Sequence, residues 1–464
     1  MSGAGRDALL WVQGSRAMKE TGLQAGDDIF AAEIGKCIEC GTCLHSCPVY
    51  RESHDERYSS RGRNHLMREL GYDGGELTTE EYKTIFEKCL LCGRCVSGCP
   101  RGVRNDLVVL EARERIVKRQ GLSLGKAIAF RRLMANRESM GKALRLASKV
   151  QWIMPKTKQE GRAEEHKVLR HLPLYFLGMG KGLQLPSISD RFLSETLPEV
   201  NPPTQKVAGR SLRVAYFSGC MTEYALPNVG RSIVSLLNER GVEVIVPRAQ
   251  VCCGIAAAAN GDVETAREMA LSNLKVLSET GADLIVTGCA TCGSTLKEGW
   301  TNLFQDDSRK AEFERLAGKV RDISEVLVDL AEFKPLKYKS KLPAGSRVTY
   351  HDPCHLAGYQ SVISQPRKIL RKAFGDNFVE MDHKGCCGCG GSFLLHSRDL
   401  SENIAEEKIE SIRRTGADVV VNTCPGCMIQ LTSELKRHGL PQQVLHLAEV
   451  VEQMDDNGRA EGER

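Results

Sequence analysis

The sequence predicts an α-helical N-terminal domain followed by a duplicated α/β domain with a parallel sheet. Two short cysteine runs begin 52 positions apart, at Cys37 and Cys89, around a helix-prone insert. A longer cysteine pattern occurs twice in the C-terminal half, and each copy alternates strand, helix, strand, helix and strand. Such alternation favours a parallel sheet, and an internal duplication constrains the fold of both copies.

Composition places the chain among soluble globular proteins. Its 464 residues predict about three domains. The first twenty residues are polar and lack the apolar core of a secretory signal. The 19 cysteines therefore indicate metal or redox sites in a cytoplasmic protein rather than disulfides. No apolar run is long enough to span a membrane, and a net charge of +5 does not imply a nucleic-acid partner.

The two short runs follow the bacterial ferredoxin pattern C-x₂-C-x₂-C-x₃-C-P, which ends here at Pro48 and Pro100. In that pattern three cysteines hold one iron–sulfur cluster, and the fourth reaches the other cluster. The sequence thus predicts two cubane [4Fe–4S] clusters, one held by Cys37, Cys40, Cys43 and Cys99, the other by Cys89, Cys92, Cys95 and Cys47. Zinc knuckles are the alternative, but zinc does not need the fourth cysteine at its fixed spacing.

The insert between the runs favours an α-helical two-cluster ferredoxin domain over residues 1–110 rather than a compact ferredoxin. A helix is expected around Thr79–Lys88. Two interpretations of Arg61 and Arg63 are open. They either donate to cluster sulfides and balance cluster charge, or they cap and solvate a helix.

Residues 111–204 are expected to form a basic helical region and a proline-rich linker. Residues 111–170 include sixteen Lys and Arg but only six Asp and Glu. One predicted helical face carries Met140, Leu144, Ala147, Val150 and 152–154. It either contacts an anionic membrane surface or an acidic partner, or it packs on its own protein. The glycines at 178, 180 and 182 lack the strand and helix that a nucleotide-binding loop requires.

The longer cysteine pattern has five members in each copy. The first copy comprises Cys220, Cys252, Cys253, Cys289 and Cys292, and the second comprises Cys354, Cys386, Cys387, Cys424 and Cys427. Corresponding cysteines are offset by 134 or 135 positions, and glycine follows each adjacent pair. Five thiolates exceed the four ligands of a structural zinc site, whereas soft thiolates suit a polynuclear iron–sulfur centre.

Each copy is expected to place its cysteines on loops that leave the carboxyl ends of parallel strands, so that distant thiolates converge. The two copies are assigned to residues 205–335 and 336–450, and residues 451–464 to a disordered tail. The predicted strands are 212–217, 242–246 and 284–287 in the first copy, and 347–350, 378–381 and 419–422 in the second.

Four further side chains are weighed in the second copy. Cys389 stands outside the frame, where the first copy has Ile255. It is either a redox-active thiol or a packing residue. His351, His355 and His383 are either proton donors at a reactive cluster or structural histidines.

The twin ferredoxin runs followed by two Cys-Cys-Gly repeats resemble the iron–sulfur subunit of glycolate oxidase and related lactate-oxidising complexes, and also the catalytic iron–sulfur subunit of heterodisulfide reductase. The resemblance covers roughly residues 30–450. It is most specific in Cys37–Arg63, Cys89–Val103, His351–His355, Lys384–Phe393 and Gly416–Cys427.

The resemblance implies a noncubane [4Fe–4S] centre on the second five-cysteine set, as in heterodisulfide reductase, where such a centre performs disulfide chemistry. It implies a second centre of this kind on the first set, so that one or two noncubane clusters are expected. Glycolate oxidase subunits commonly have eroded frames, whereas both frames are complete here. This departure keeps thiol–disulfide chemistry open.

Two functions follow as expectations. In the first, a flavoprotein dehydrogenase partner oxidises a 2-hydroxy acid such as lactate or glycolate, and this chain relays electrons to a quinone or a redox protein. No flavin or nicotinamide site is expected in this chain, since hydride chemistry belongs to the partner's flavin. In the second, the C-terminal centre itself reduces a disulfide. A zinc-stabilised scaffold is the third hypothesis.

Overall fold

The computed structural model describes residues 29–71, 75, 77–151, 169–171, 184–204, 212–329 and 338–453. These residues form two compact units. The first consists of residues up to Gly121 together with Ala259–Gly261, and the second consists of Leu122–Ala258 and the chain from Asp262 onward. Both five-cysteine sets therefore belong to one unit.

The first unit is helical, as the sequence predicts. Its helices are Ile29–Gly35, Thr42–Ser46, Pro48–Ser53, Ser60–Leu70, Thr79–Glu87, Arg94–Ser97 and Asn105–Gln120, with a 3₁₀ turn at Glu56–Tyr58. Thr78 and Glu81 form a capping box at the start of the expected helix in the insert. Phe30, Phe86 and Val109 are buried in a common core that the two cysteine loops flank.

The second unit contains a five-stranded sheet built on the first cysteine frame. Its strands are β3 Val200–Asn201, β4 Arg213–Tyr216, β5 Glu243–Ile245, β6 Leu284–Thr287 and β7 Val320–Asp322. They lie in the order β3-β5-β4-β6-β7, where β3 is antiparallel to β5 and the other pairs are parallel. The expected parallel sheet is present, with β4, β5 and β6 ending at the three cysteine loops.

The second frame lies on a three-stranded parallel sheet. Its strands are β9 Val348–Tyr350, β10 Val419–Asn422 and β11 Gln443–His446, in the order β11-β10-β9. The prediction of a strand at 378–381 is wrong: only a bridge between Val348 and Phe378 forms. Val379 N donates to Val348 O, but the Glu380 side chain is drawn to Arg367 in the helix beside the sheet.

Helices cover both sheets of the second unit. They are Leu124–Ala127, Arg137–Val150, Leu193–Thr196, Gly219–Tyr224, Pro227–Glu239, Ile255–Ala258, Val263–Glu279, Ala290–Ser294, Trp300–Leu303, Lys310–Lys319, Ile323–Asp329, Cys354–Ala357, Ser364–Phe374, Phe393–His396, Arg398–Thr415, Pro425–Arg437 and Leu447–Val450. Ile128–Met134 and Thr295–Gly299 are π-helical, and Gly375–Asn377 is a 3₁₀ turn. Residues of both copies, among them Val214, Tyr216, Val348 and Tyr350, share one apolar core.

Two expectations about connecting segments need correction. The segment expected to be a linker supplies β2 Gln184–Pro186, which pairs with β1 Leu169–His171, and also β3 of the first sheet. The expected tail begins as β12 Val451–Gln453, antiparallel to β8 Tyr338–Ser340. Its remainder, residues 454–464, and the predicted apolar positions 152–154 lie outside the described residues.

Candidate metal centres

The two ferredoxin-type loops of the first unit have the same backbone shape. Glu39 and Leu91, which precede the second cysteine of each run, have φ angles of 55° and 52°. Gly41 and Gly93 follow that cysteine with φ angles of 80° and 71°. Successive peptide groups that alternate between right- and left-handed conformations form concavities of N–H groups that bind anions, including iron–sulfur clusters. The repeated strain therefore fits cluster binding.

One cavity of the first unit gathers one predicted ligand set. Cys47, Cys89, Cys92 and Cys95 all line it. Burial raises the pKa of the Cys95 thiol to about 12, because a thiolate is unfavourable there without a compensating charge. Iron supplies such a charge, so this donor set fits a cluster.

The other predicted set combines three cysteines of the first run with Cys99 of the second. The Cys43 thiol lies near Cys37, and its pKa is raised mainly by burial. Cys40 is exposed, and its pKa is lowered mainly by the hydrogen bond with the Thr42 hydroxyl. Cys99 accepts a hydrogen bond from the Val103 amide at 3.4 Å.

The two arginines of the insert have different surroundings. Arg63 is buried and donates to the carbonyls of Ile85 and Lys88 at 2.9 and 2.8 Å, which caps the carboxyl end of the insert helix. It also lines the cysteine cavity. Arg61 pairs with Glu56 at 2.7 Å, and its charge also lowers the pKa of Cys40 in the first run. The capping interpretation thus holds for Arg63, from a position that also adjoins the thiols.

Arg113 is a residue that sequence reasoning missed. It is buried in the first unit and donates to the carbonyls of Phe86, Glu87 and Cys89, the last at 2.7 Å. Burial lowers the pKa of its guanidinium. A buried arginine satisfied by carbonyls holds the first residue of the second cysteine run in place. Its sequence neighbourhood, a basic helix, gives no signal of this role.

The two five-cysteine sets form one continuous row of thiols in the second unit. Neighbouring thiols of the row influence one another's pKa through their side chains. The Sγ atoms of Cys387 and Cys427 are 3.4 Å apart. The row runs Cys220, Cys252, Cys253, Cys292, Cys289, Cys424, Cys427, Cys387 and Cys386. Cys354, the tenth frame cysteine, is half-buried and starts the helix that follows β9.

Backbone contacts fix the two frames against each other at the centre of this row. Ala290 N donates to Thr423 O at 2.9 Å. The reciprocal bond to Gly288 O cannot form, since Pro425 stands at the position of Ala290 and has no N–H. The His446 ring meets Gly288 O instead, at 2.8 Å. The two frames are therefore held together beside Cys289 and Cys424.

The glycine after each cysteine pair is required by the backbone. Gly254 and Gly388 have φ angles of 93° and 85°. A Cβ at Gly388 would lie 2.4 Å from Ser401 O, and one at Gly254 would lie 3.2 Å from Ala266 O. Glycine thus lets the cysteine pair approach the following helix, as well as adopt a conformation that side chains disfavour.

Comparisons with known proteins agree with this geometry. The 4Fe-4S dicluster domain matches residues 33–103, and the cysteine-rich CCG domain matches residues 214–297 and again 348–432. A probable glycolate oxidase iron–sulfur subunit of Bacillus subtilis (strain 168) is 29% identical over 449 residues, which cover 94% of this chain and 97% of that protein.

Two archaeal proteins match over most of the chain as well. One subunit of a fumarate reductase (CoM/CoB) from Methanothermobacter marburgensis is 30% identical over 421 residues, covering 90% of this chain and 71% of that protein. One subunit of a dihydromethanophenazine:CoB–CoM heterodisulfide reductase from Methanosarcina barkeri is 26% identical over 426 residues, covering 86% and 88%. The chain belongs to this family of iron–sulfur subunits with a dicluster domain and two CCG domains. Within its described residues, no helix has the length and apolarity to cross a bilayer.

His351 of the second CCG domain faces the cysteines. One of its ring nitrogens and the Sγ atoms of Cys387 and Cys427 all lie within 4.8 Å of one another. The ring is 1% exposed, and neither nitrogen has a hydrogen-bond partner among the described residues. Burial, together with the nearby charge of Lys408, lowers the pKa of His351 to about 3, so the ring is neutral.

The other histidines of this CCG domain have structural partners. His355 Nδ1 lies 2.7 Å from the Ser294 hydroxyl of the first CCG domain. His383 Nδ1 lies 3.0 Å from a carboxylate oxygen of Glu407. Only His351, of the three candidates, therefore offers its ring to the thiol row.

Cys389 lies beside the second frame. A Cβ built on Gly426 would be 3.8 Å from Cys424 Sγ and 3.9 Å from Cys389 Sγ. Burial raises the pKa of Cys389 to about 12. Its side chain packs against the apolar core that the two CCG domains share, which favours the packing interpretation.

Two buried, positively charged side chains of the second CCG domain were not predicted from the sequence. Lys408 is fully buried and donates to His383 O, and its Nζ lies 3.3 Å from Met381 Sδ. Arg367 binds Asp352 at 2.7 Å, directly before Pro353 and the first frame cysteine. The sequence signal that could have found Lys408 is the alignment of the copies, which puts this residue at the position of Asn273 on the buried face of the helix.

Proposed function

We propose that this chain is the iron–sulfur electron-transfer subunit of an oxidoreductase whose flavoprotein partner oxidises a 2-hydroxy acid. The first unit would hold two cubane clusters on the ligand sets given above, and each CCG domain one noncubane cluster on its five cysteines. When bound, these clusters accept and release single electrons. The chain's own residues position them and exclude water.

The continuous thiol row carries this proposal. It joins the two five-cysteine sets through Cys289 and Cys424, so two centres in the CCG domains would be adjacent. Adjacent centres suit a relay between a flavin, which takes two electrons from the hydroxy acid, and an acceptor that takes them singly. A quinone or a redox protein would complete the path.

The relatives support the same assignment. The glycolate oxidase subunit of Bacillus subtilis matches almost from end to end, which favours a shared role in a complex. We place the protein in the cytoplasm, where thiols stay reduced. We place its membrane-side contact, if a quinone is the acceptor, at the exposed basic helix Arg137–Val150.

Anaerobic purification of the tagged chain from its source cells tests this proposal. We expect a flavin-containing dehydrogenase to co-purify, and lactate or glycolate to bleach the visible absorption of the clusters. A Cys95→Ser variant is the matched control. It removes one predicted cluster ligand from the cavity that four cysteines line in the first unit, and it should slow bleaching at least tenfold. Zinc in place of iron, or no bleaching by either acid, would refute the relay.

A second function is favoured by the completeness of both frames. Two intact five-cysteine sets facing each other would also suit a heterodisulfide reductase-like enzyme, in which two electrons cleave an S–S bond and two protons complete the thiols. In that case, the isolated chain reduced by a viologen would be reoxidised by a disulfide without any partner. The relay predicts no such turnover.

A further inference from the structure

The two CCG domains differ at two buried positions that face their cysteine frames. Phe217 and His351 occupy equivalent positions in the two copies, because Phe217 N donates to Val286 O and His351 N donates to the equivalent Val421 O. Asn273 and Lys408 also occupy equivalent positions, in the helices that end before Gly281 and Gly416. The first copy thus has an aromatic ring and a neutral amide where the second has an imidazole and a cation.

The first copy uses its two residues for packing and backbone support. Phe217 is fully buried and packs edge-on against Trp300, with ring centroids 6.3 Å apart. Asn273 accepts from Val251 N at 2.9 Å and donates to Cys252 O at 3.0 Å. Neither residue brings a net charge to the first frame.

The second copy presents a polar group to its frame. The His351 ring lies against Cys387 and Cys427 with no partner of its own among the described residues. A buried polar nitrogen without a partner is costly, and a neutral imidazole always carries one N–H. The Sγ atoms of Cys387 and Cys427 lie within 4.8 Å of a ring nitrogen, and a cluster held by these cysteines would supply sulfur acceptors for the N–H.

A buried cation lies on the helix behind the second frame. Lys408 donates to His383 O, three residues before the cysteine pair, and its charge acts on His351. It is completely buried, so solvent screens its charge little. Asp352 acts on His351 in the opposite sense, but its carboxylate is paired with Arg367 at 2.7 Å. A substantial effect of the Lys408 charge on a neighbouring centre is therefore expected.

We propose that His351 and Lys408 hold the C-terminal CCG centre at a higher reduction potential than the N-terminal one, so that electrons collect at the C-terminal centre. His351 acts by donating its N–H to a cluster or thiolate sulfur, and Lys408 by its charge. Both stabilise the reduced centre, which carries one more negative charge. In each transfer the N-terminal centre loses one electron and the C-terminal centre gains it. This inference rests on the proposed function.

Redox titration of the full-length, anaerobically reconstituted protein tests it, with electron paramagnetic resonance as the readout. His351→Phe and Lys408→Asn convert each residue to its counterpart in the first copy. We expect each variant to lower the midpoint potential of one CCG centre, and the double variant to lower it further, with iron and sulfide content unchanged. A Cys252→Ser, Cys253→Ser variant removes the N-terminal centre and so assigns the signals.

Two controls separate this role from a structural one. His351→Gln keeps an N–H donor, so the midpoint potential of the C-terminal centre should stay close to its wild-type value. Lys372→Asn removes the same charge from an exposed site and should leave the potential unchanged. If Lys408→Asn fails to fold, Lys408→Gln preserves side-chain length without the charge.

The outcomes distinguish this inference from the proposed function. Unchanged potentials in His351→Phe and Lys408→Asn, with full iron content, would overturn the inference and leave the relay standing. Loss of iron in both His351→Phe and His351→Gln would overturn it in favour of direct ligation by His351. A wild-type protein without iron in its CCG domains would instead overturn the proposed function.

Discussion

The two CCG domains have the same cysteine frame but very different buried surroundings. Asp352 and Glu380 of the second copy stand where the first has Ser218 and Val246, and Arg367 binds both carboxylates. At the positions facing the cysteines, His351 and Lys408 replace a phenyl ring and an amide. The comparison shows that the ligand pattern of a duplicated site can persist while the charges around it diverge, which changes the electrostatics of the two sites.

The largest expected effect comes from breaking the ion network of the second copy. Arg367→Met leaves Asp352 without its bidentate partner and leaves Glu380 with only the longer contact to Arg371, at 3.4 Å. Removal of one partner from a buried ion pair such as Arg367 and Asp352 costs about 3–5 kcal/mol. We expect that loss in the free energy of unfolding, measured by anaerobic urea denaturation. Arg371→Met is the control: its side chain is 62% exposed, and a change within about 0.5 kcal/mol is expected. Equal losses of stability in the two variants would contradict a stabilising role of this ion network.

The next largest effect is expected at the glycines that follow the two cysteine pairs. Gly388→Ala places Cβ 2.4 Å from Ser401 O, whereas Gly254→Ala places it 3.2 Å from Ala266 O. Both positions have positive φ, so each variant carries backbone strain of about 1–2 kcal/mol. The added clash raises the expected cost to about 3 kcal/mol at Gly388. Urea denaturation and iron content of the two variants measure the difference, and a larger loss at Gly254 would contradict it.

A smaller, pH-dependent effect is expected at the last residue of β7, Asp322, which corresponds to His446 at the end of β11. Burial raises the pKa of Asp322 to about 7, with Glu325 adding to the shift and Lys297 opposing it. The folded state therefore keeps a proton that the unfolded chain releases near pH 4. Stability falls as pH rises toward and through 7, by about 1 kcal/mol between pH 6 and 8.

Asp322→Asn should remove this pH dependence. Urea midpoints at pH 6 and pH 8 compare the variant with the wild type under anaerobic conditions. A variant that keeps the full pH dependence would show that another group is responsible.

The smallest effect is expected at Cys389. Cys389→Ile introduces the residue of the first copy, Ile255. Because five thiols already complete the frame, we expect unchanged iron and sulfide content and a stability change within about 1.5 kcal/mol. Loss of iron would show that Cys389 is a ligand.

Much of the architecture could be predicted from local sequence. The strands at 284–287 and 419–422 have the predicted bounds, because short apolar runs before cysteine loops are recognised from neighbouring residues alone. The strand at 378–381 could not be ruled out in this way. Its loss is visible only in the pairing with β9, which stops after the bridge at Phe378 and the bond from Val379 N to Val348 O.

The sequence by itself determined the duplication, the cysteine frames and the order of helices and strands, since spacing and periodicity are properties of nearby residues. Only the tertiary structure decided that Cys289 meets Cys424, that His351 faces the thiols without a partner among the described residues, and that Lys408 is buried beside it. These features depend on packing between segments more than fifty positions apart, or between a helix and a loop, and side-chain burial is set by that packing.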